Sequence, residues 1–159
     1  MEELKVRIVT LPPLQVICFN GFGPSPEGQA YTKAENWLKA KGMWEDGKER
    51  RFFGYNNPDP SPGSPNYGYD VWVTVDKSVQ AEGDARILSF AGGLFATTRV
   101  DAGPKGEGIY ETWQKLAAWV EHSKYTPEFS SRQCLEESPN PFNSPPTGFT
   151  LILYEPIRE

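Results

Sequence analysis

The chain has 159 residues, 38% of them apolar and 13% aromatic, with 21 acidic side chains against 16 basic ones and a formal charge of −5. That length holds one domain with a real core and excludes two of ordinary size, and the aromatic share means that Phe, Tyr and Trp fill much of the interior. Direct nucleic-acid binding is not expected, because GKERR at 47–51 is the longest cationic stretch and phosphate contacts need clustered cations.

The first predicted element in chain order is a strand, LQVICFN, after a proline turn. The Gly/Pro loop GFGPSPEG follows, then a helix around YTKAENWLKAKG whose Ala30, Ala34, Trp37 and Leu38 make a weak apolar face. Next come a short strand, RFFGYNN, a proline-rich loop, PDPSPGSPNYG, and a longer strand, YDVWVTV. In the last of these Val71, Val73 and Val75 alternate with Asp70, Trp72 and Thr74, so one face is expected to meet helices and the other something wetter.

The same plan then returns. A strand, GLFATTRV, leads through DAGPKGEG to the helix YETWQKLAAWVEH, where Ile109, Trp113, Leu116, Ala117 and Val120 share one face. The strand SRQCLEES, the loop PNPFNSPPTG and the strand FTLILYEPI complete it. Tyr110 answers Tyr31 and Pro139 and Pro141 answer Pro60 and Pro62, while Gly148-Phe149 answers Gly68-Tyr69 after a one-residue slip. The expected fold is a single α+β domain over 1–159 made of two βαββ repeats, about 1–79 and 80–159. Its antiparallel sheet carries both helices on one face and leaves a groove on the other.

Several other signals point away from chemistry. His122, the one histidine, sits at a helix C-terminus, where the dipole favours a surface site, and no Cys or Asp lies at ligand spacing from it. Cys18 and Cys134 lie in strand-like runs and read as reduced thiols, with a disulfide the minor alternative, so neither a metal nor a cofactor is expected. The glycine loops lack the Gly-Lys-Ser/Thr ending of a phosphate loop, and no serine sits in a nucleophile elbow. No apolar run approaches 18 residues and MEELKVRIV lacks the segments of a signal peptide, so a cytoplasmic protein without membrane association is expected.

The segment GGLFATTRVDAGPKGEGIYETWQKLAAWVEHSKY, then LEESPNP, then LILYEPI with Tyr154, Pro156 and Ile157, resembles the GyrI-like small-molecule-binding domain, also called the AraC-type effector-binding domain. LKVRIVTLPPLQVICFNGFG and RFFGYNNPDP with YGYDVWVTV fit the first half of that family, so the resemblance covers nearly the whole chain. It implies a pseudo-twofold pair of modules whose sheet face holds aromatic, often cationic, ligands, with a strand glutamate as charge partner. With no helix-turn-helix segment beside it, the chain looks like a stand-alone member. Branches of the family act as effector domains, modulate DNA gyrase or hydrolyse cyclopropane-containing natural products. A protein partner, either a transcription regulator or DNA gyrase, is therefore among the expectations.

Side chains alternate along Arg132–Glu137, so if Leu135 packs under the helices, Glu136 points to the groove, where the resemblance also puts the family's glutamate. A carboxylate in an aromatic pocket is poorly solvated and gains from a ligand cation, and desolvation also suits it to general acid/base work. The bland alternative is a solvated strand-end charge, which is the expectation for Glu137 beside Ser138-Pro139. Trp72 is a candidate ring in the groove or a cover for the sheet edge, and Trp113 a candidate wall or core residue. Tyr110, with a hydroxyl that can reach a ligand, joins them, as do Tyr55, Tyr69 and Phe95 by strand position. The expected function is sensing or sequestering of aromatic compounds, cationic ones included; hydrolysis through Glu136 is the alternative, and gyrase modulation through the acidic surface a further one.

Overall fold

Pro12 and Pro13 decide how the strands pair. The computed structural model describes residues 4–159; Met1, Glu2 and Glu3, the start of MEELKVRIV, lie outside the described residues. Strand β1 (Arg7–Leu11) runs into the two prolines and then into β2 (Leu14–Gly23), yet the two do not pair as a hairpin. A two-residue hairpin needs left-handed backbone at its tip, which proline cannot adopt. The further elements are α1 (Pro26–Ala40), β3 (Phe52–Asn56), β4 (Tyr67–Thr74), β5 (Arg86–Phe90), β6 (Gly93–Ala102), α2 (Ile109–Glu121), β7 (Thr126–Pro127), β8 (Leu135–Glu137) and β9 (Phe149–Arg158).

Two compact units result, one spanning Leu14–Phe90 and the other joining the chain up to Pro13 with Ala91–Glu159. In the first, the antiparallel order is β3-β4-β2-β5; in the second it is β8-β9-β6-β1, with β7 on the far end of β9. The opening strand of each sequence repeat thus completes the sheet that belongs to the other repeat's helix. The equivalence is close: β2 and β6 show the same sequence of buried and exposed positions over all 10 residues, and β1 and β5 do so over their 5. Neither β1 nor β5 was among the elements expected from hydrophobic patterning, because each is half-exposed at a sheet margin and shows no clean alternation.

In the Leu14–Phe90 unit, α1 lays Ala30, Ala34 and Leu38 against β2 and β4, and Phe19 meets Trp37 at 5.8 Å between ring centroids. Val71 is paired with Phe19 and Val73 with Ile17, so the valines of YDVWVTV do face the helix. The opposite face is not the wetter one anticipated: Asp70 is fully buried and Trp72 nearly so. In the other unit, α2 sets Leu116 and Val120 on Ala96, Val100, Leu151, Leu153 and Ile157. No helix among the described residues is long and apolar enough to cross a membrane.

Arg132 braces that second unit from the coil before β8. Its guanidinium donates to the Leu94 carbonyl and, at 2.8 Å, to the Ile157 carbonyl, and lies 5.1 Å above the Phe95 ring. Replacing it with methionine keeps the stem but removes two charge-assisted bonds, and should lower stability by about 2–3 kcal/mol. Urea denaturation checks this, and a loss below about 0.5 kcal/mol would remove Arg132 from the account of the fold.

Candidate functional site

The strand that carries the paired glutamates is short, and its register decides which of them matters. Leu135 pairs with Tyr154, Glu136 with Leu153 and Glu137 with Ile152. Directly paired residues share a face, and Leu153 belongs to the core under α2. Glu136 therefore points to the helix side, where Trp113 Nε1 donates to its Oε2 at 3.2 Å. Leu135 and Glu137 point to the helix-free side. The expectation that Leu135 packs under the helix and sends Glu136 to the open face is corrected: the two faces are the other way round. Leu135 is fully buried although it does not belong to the α2 core.

On that helix-free face Tyr154 donates its hydroxyl to Glu137 Oε1 at 2.5 Å, and Tyr154 and Phe95 meet edge to face at 5.7 Å. Phe95 is fully buried and Tyr154 almost so, whereas Glu137 is half-buried. The arrangement is a partly accessible carboxylate oriented by a phenol that itself packs on a second ring, which is suited to a cation with aromatic substituents. Tyr154 entered the sequence reading only through its place in the chain ending, and Glu137 as a charge facing water at the turn.

The Leu14–Phe90 unit carries its own acidic and aromatic face. Tyr55 and Trp72 meet edge to face at 5.3 Å, and Trp72 and Phe90 lie 5.4 Å apart. Asp70 Oδ1 accepts from Asn20 Nδ2 at 2.6 Å, and its Oδ2 accepts from Asn57 Nδ2 at 2.9 Å and Arg86 Nη2 at 3.3 Å. Burial, with the Asp70 charge beside it, pushes the Tyr55 phenol well above its ordinary range. Burial likewise pushes the Cys18 thiol up to about 12, with Asp70 adding to the effect, so the cysteine beneath Arg86 is inert at neutral pH. Cys134 is a half-buried thiol outside any disulfide rather than a core residue. Asp70, Asn57 and Arg86 were not singled out, although an aspartate inside the apolar run YDVWVTV is the kind of local inconsistency that marks a site.

The remaining expected residues divide. Trp72, Tyr55 and Phe95 do lie on helix-free faces. Tyr69 does not: it shares the parity of Val71, is buried on the α1 side, and its ring covers Gly54. Trp113 packs on the α2 core and spends its N–H on Glu136. Tyr110 is 70% exposed on α2, accepting from Gln114 Nε2 at 3.2 Å, and the structure brings it to neither face. His122 caps α2, with Nδ1 2.8 Å from the Ala118 carbonyl.

Glu155 was also missed. It lies on the α2 side of β9 opposite Ala96, is 4% exposed, and its Oε2 has no hydrogen-bond partner. Burial raises its carboxyl above the ordinary glutamate value of 4.5. The folded state therefore holds the proton at pH values where the unfolded chain has lost it. Its stabilising share is complete below the ordinary value and declines as pH rises through the raised one. Glu155→Gln should accordingly melt with wild type at pH 4 and about 2–4 °C higher at pH 7, a gain of about 1 kcal/mol. Melting curves at the two pH values read it, and a mutant that melts lower at pH 7 would contradict the raised carboxyl.

Residues 7–157 match the family model Cass2, described as integron-associated effector binding protein. No curated protein sequence matches the chain. Among solved structures, it is similar to EcmrR in a complex with DNA (12% identity, TM-score 0.69, 98% of this chain and 57% of that one). This chain thus spans a little over half of EcmrR. It is also similar to a hydrolase from Listeria innocua (15%, TM-score 0.68, 99% and 94%) and to SAV2435 bound to tetraphenylphosphonium (10%, TM-score 0.56, 98% and 94%). At these identities the likeness shows a shared α+β fold.

Proposed function

We propose that this chain, which belongs to the family of integron-associated effector-binding proteins, senses or sequesters small aromatic cations in the cytoplasm, with Glu137 as the charge partner and the whole chain working as one domain. The observation that carries this reading is the half-buried Glu137 carboxylate, which accepts from the Tyr154 hydroxyl at 2.5 Å, with that tyrosine packed edge to face against Phe95. Such a carboxylate has lost part of its hydration, so a ligand cation restores Coulomb energy while the rings add cation–π attraction of about 0.5–2 kcal/mol. Family membership and the tetraphenylphosphonium bound to SAV2435, an aromatic cation, agree with that chemistry.

Thermal melting with methyltriphenylphosphonium and its neutral counterpart triphenylphosphine oxide tests it. At a ligand concentration about 100-fold above Kd the cation should add about 2.7 kcal/mol, hence about 5–10 °C, and the oxide far less. Equal shifts for both compounds, or none for either, would sink the reading.

Hydrolysis is a second reading, favoured by the way Trp113 fixes the half-exposed Glu136 carboxylate at 3.2 Å, as a general base requires. It predicts disappearance of an electrophilic ligand that Glu136→Gln abolishes; binding alone predicts full recovery of the compound by chromatography.

A further inference from the structure

The proline-rich loop PNPFNSPPTG of the second repeat has no part in the cation site at Glu137. Running between β8 and β9, it walls a pocket of about 430 Å³ together with the ends of β6 and β9. That volume falls within the range of small-molecule sites, about 300–1,000 Å³. The wall is polar: Asn140, Asn143, Ser144 and Thr147 come from the loop, and Asp101 and Thr150 from the strand ends. Among the described residues, the side-chain amides of Asn140 and Asn143 and the Thr147 hydroxyl have no hydrogen-bond partner, whereas Ser144 Oγ donates to the Asn140 carbonyl at 3.2 Å.

The loop is held in shape by its own chain. Pro141, Pro145 and Pro146 fix φ, and the Asn143 and Gly148 amides donate to the Asn140 and Pro145 carbonyls at 3.3 and 3.2 Å. A preformed wall lowers the ordering cost of binding. The first repeat offers a contrast. At the offset that matches Pro139 and Pro141 with Pro60 and Pro62, Asn140 and Asn143 answer Ser61 and Ser64. Ser64 spends its hydroxyl on its own loop, accepting from the Asn66 amide at 3.2 Å and donating to the Asn66 carbonyl at 3.4 Å, whereas the Asn143 amide is left unspent.

Charge selects neither an anion nor a cation in this pocket. Among the described residues lining it Asp101 alone is charged, and its Oδ1 accepts from Arg99 Nε and Nη2 at 3.1 and 3.0 Å and from Thr150 Oγ1 at 2.7 Å. What remains are neutral amides and a hydroxyl, groups that donate and accept at once, and a ligand answers them in kind when its own hydroxyls do both.

We propose that this pocket binds a neutral, hydroxyl-rich compound of the sugar class, with Asn140 and Asn143 as its specificity-determining residues. The site shares no residue with the cation site proposed at Glu137 and does not rest on it.

Nitrogen-edited NMR of the asparagine side-chain amides tests the proposal, with the methyl glycosides of glucose, galactose and mannose as probes and cyclohexanol as the ring that lacks their hydroxyls. In wild type the Asn140 and Asn143 signals should shift saturably with at least one glycoside, at a Kd of about 10 mM or tighter, and not with cyclohexanol. Asn143→Ala should weaken that binding at least about fivefold, and so should Asn140→Ala, which serves as the test if the first variant does not fold. Glu137→Gln should leave glycoside binding unchanged, and Asn143→Ala should still bind methyltriphenylphosphonium as wild type does, so the two readings fail separately. No saturable shift with any of the glycosides up to about 100 mM, equal shifts with cyclohexanol, or unchanged affinity in both asparagine variants would overturn it.

Discussion

Gly148→Ala should lower the melting temperature by about 6–12 °C, a loss of about 3 kcal/mol or more. A Cβ at this position would lie 2.0 Å from the Ala102 carbonyl oxygen, and the residue's φ is +151°. Both groups in conflict are backbone, at the point where Phe149 pairs with Ala102, so relief requires opening the β6–β9 ladder at its end. The matching glycine of the first repeat behaves alike: a Cβ on Gly68 would lie 1.9 Å from the Asn57 carbonyl oxygen, and Gly68→Ala should cost a similar amount. Gly28, in the first turn of α1, has nothing within 4 Å of a built Cβ, so Gly28→Ala should be neutral or stabilising by about 0.5–1 kcal/mol. Differential scanning calorimetry on the three variants decides it, and Gly148→Ala melting with wild type would mean that the strand starts are looser than described.

Asp70→Ala should cost about 3–5 kcal/mol by urea denaturation. The residue has no exposed surface, and its removal leaves the Asn20 and Asn57 amides and Arg86 without their acceptor on a face walled by Trp72 and Tyr55. Most of that loss is the set of hydrogen bonds to a buried charged acceptor rather than Coulomb attraction to Arg86, which is more than half-exposed and screened by water; Asn20 and Asn57 are exposed as well, so their freed amides turn to solvent. Arg86→Gln should for that reason cost less, about 1–2 kcal/mol. A loss below about 1 kcal/mol for Asp70→Ala would show that the face is less tightly organised.

Much of the fold was legible in the repeat. The paired positions Tyr31 and Tyr110, and Gly68 and Gly148, announce two similar modules, and the period-two pattern of YDVWVTV places Val71 and Trp72 on opposite faces as observed. Pairing was not legible: which β-strand partners β1 depends on whether Pro12-Pro13 can turn tightly, a property of backbone stereochemistry that hydrophobic pattern does not encode.

The residue types of the candidate site were legible, but which glutamate faces the helix-free side was not. The glutamate run was read as a strand from Arg132, whereas the ladder begins at Leu135 and has only three residues, too few for alternation to reveal which side the helix takes. A leucine is ordinarily the residue that faces a helix; here Leu135 is completely buried on the other side, in register with Tyr154. Tyr69 was assignable from parity alone, since it shares the face of Val71 and Val73. Asp70, Arg86 and Glu155 needed three-dimensional neighbours before their burial or pairing had any meaning.

The most direct test of the account is titration calorimetry of methyltriphenylphosphonium into wild type, Glu136→Gln and Glu137→Gln. Loss of at least about tenfold in affinity for Glu137→Gln, with Glu136→Gln within about twofold of wild type, is the predicted result. Loss of binding in Glu136→Gln with Glu137→Gln unaffected would put the ligand on the α2 side of the sheet and contradict it.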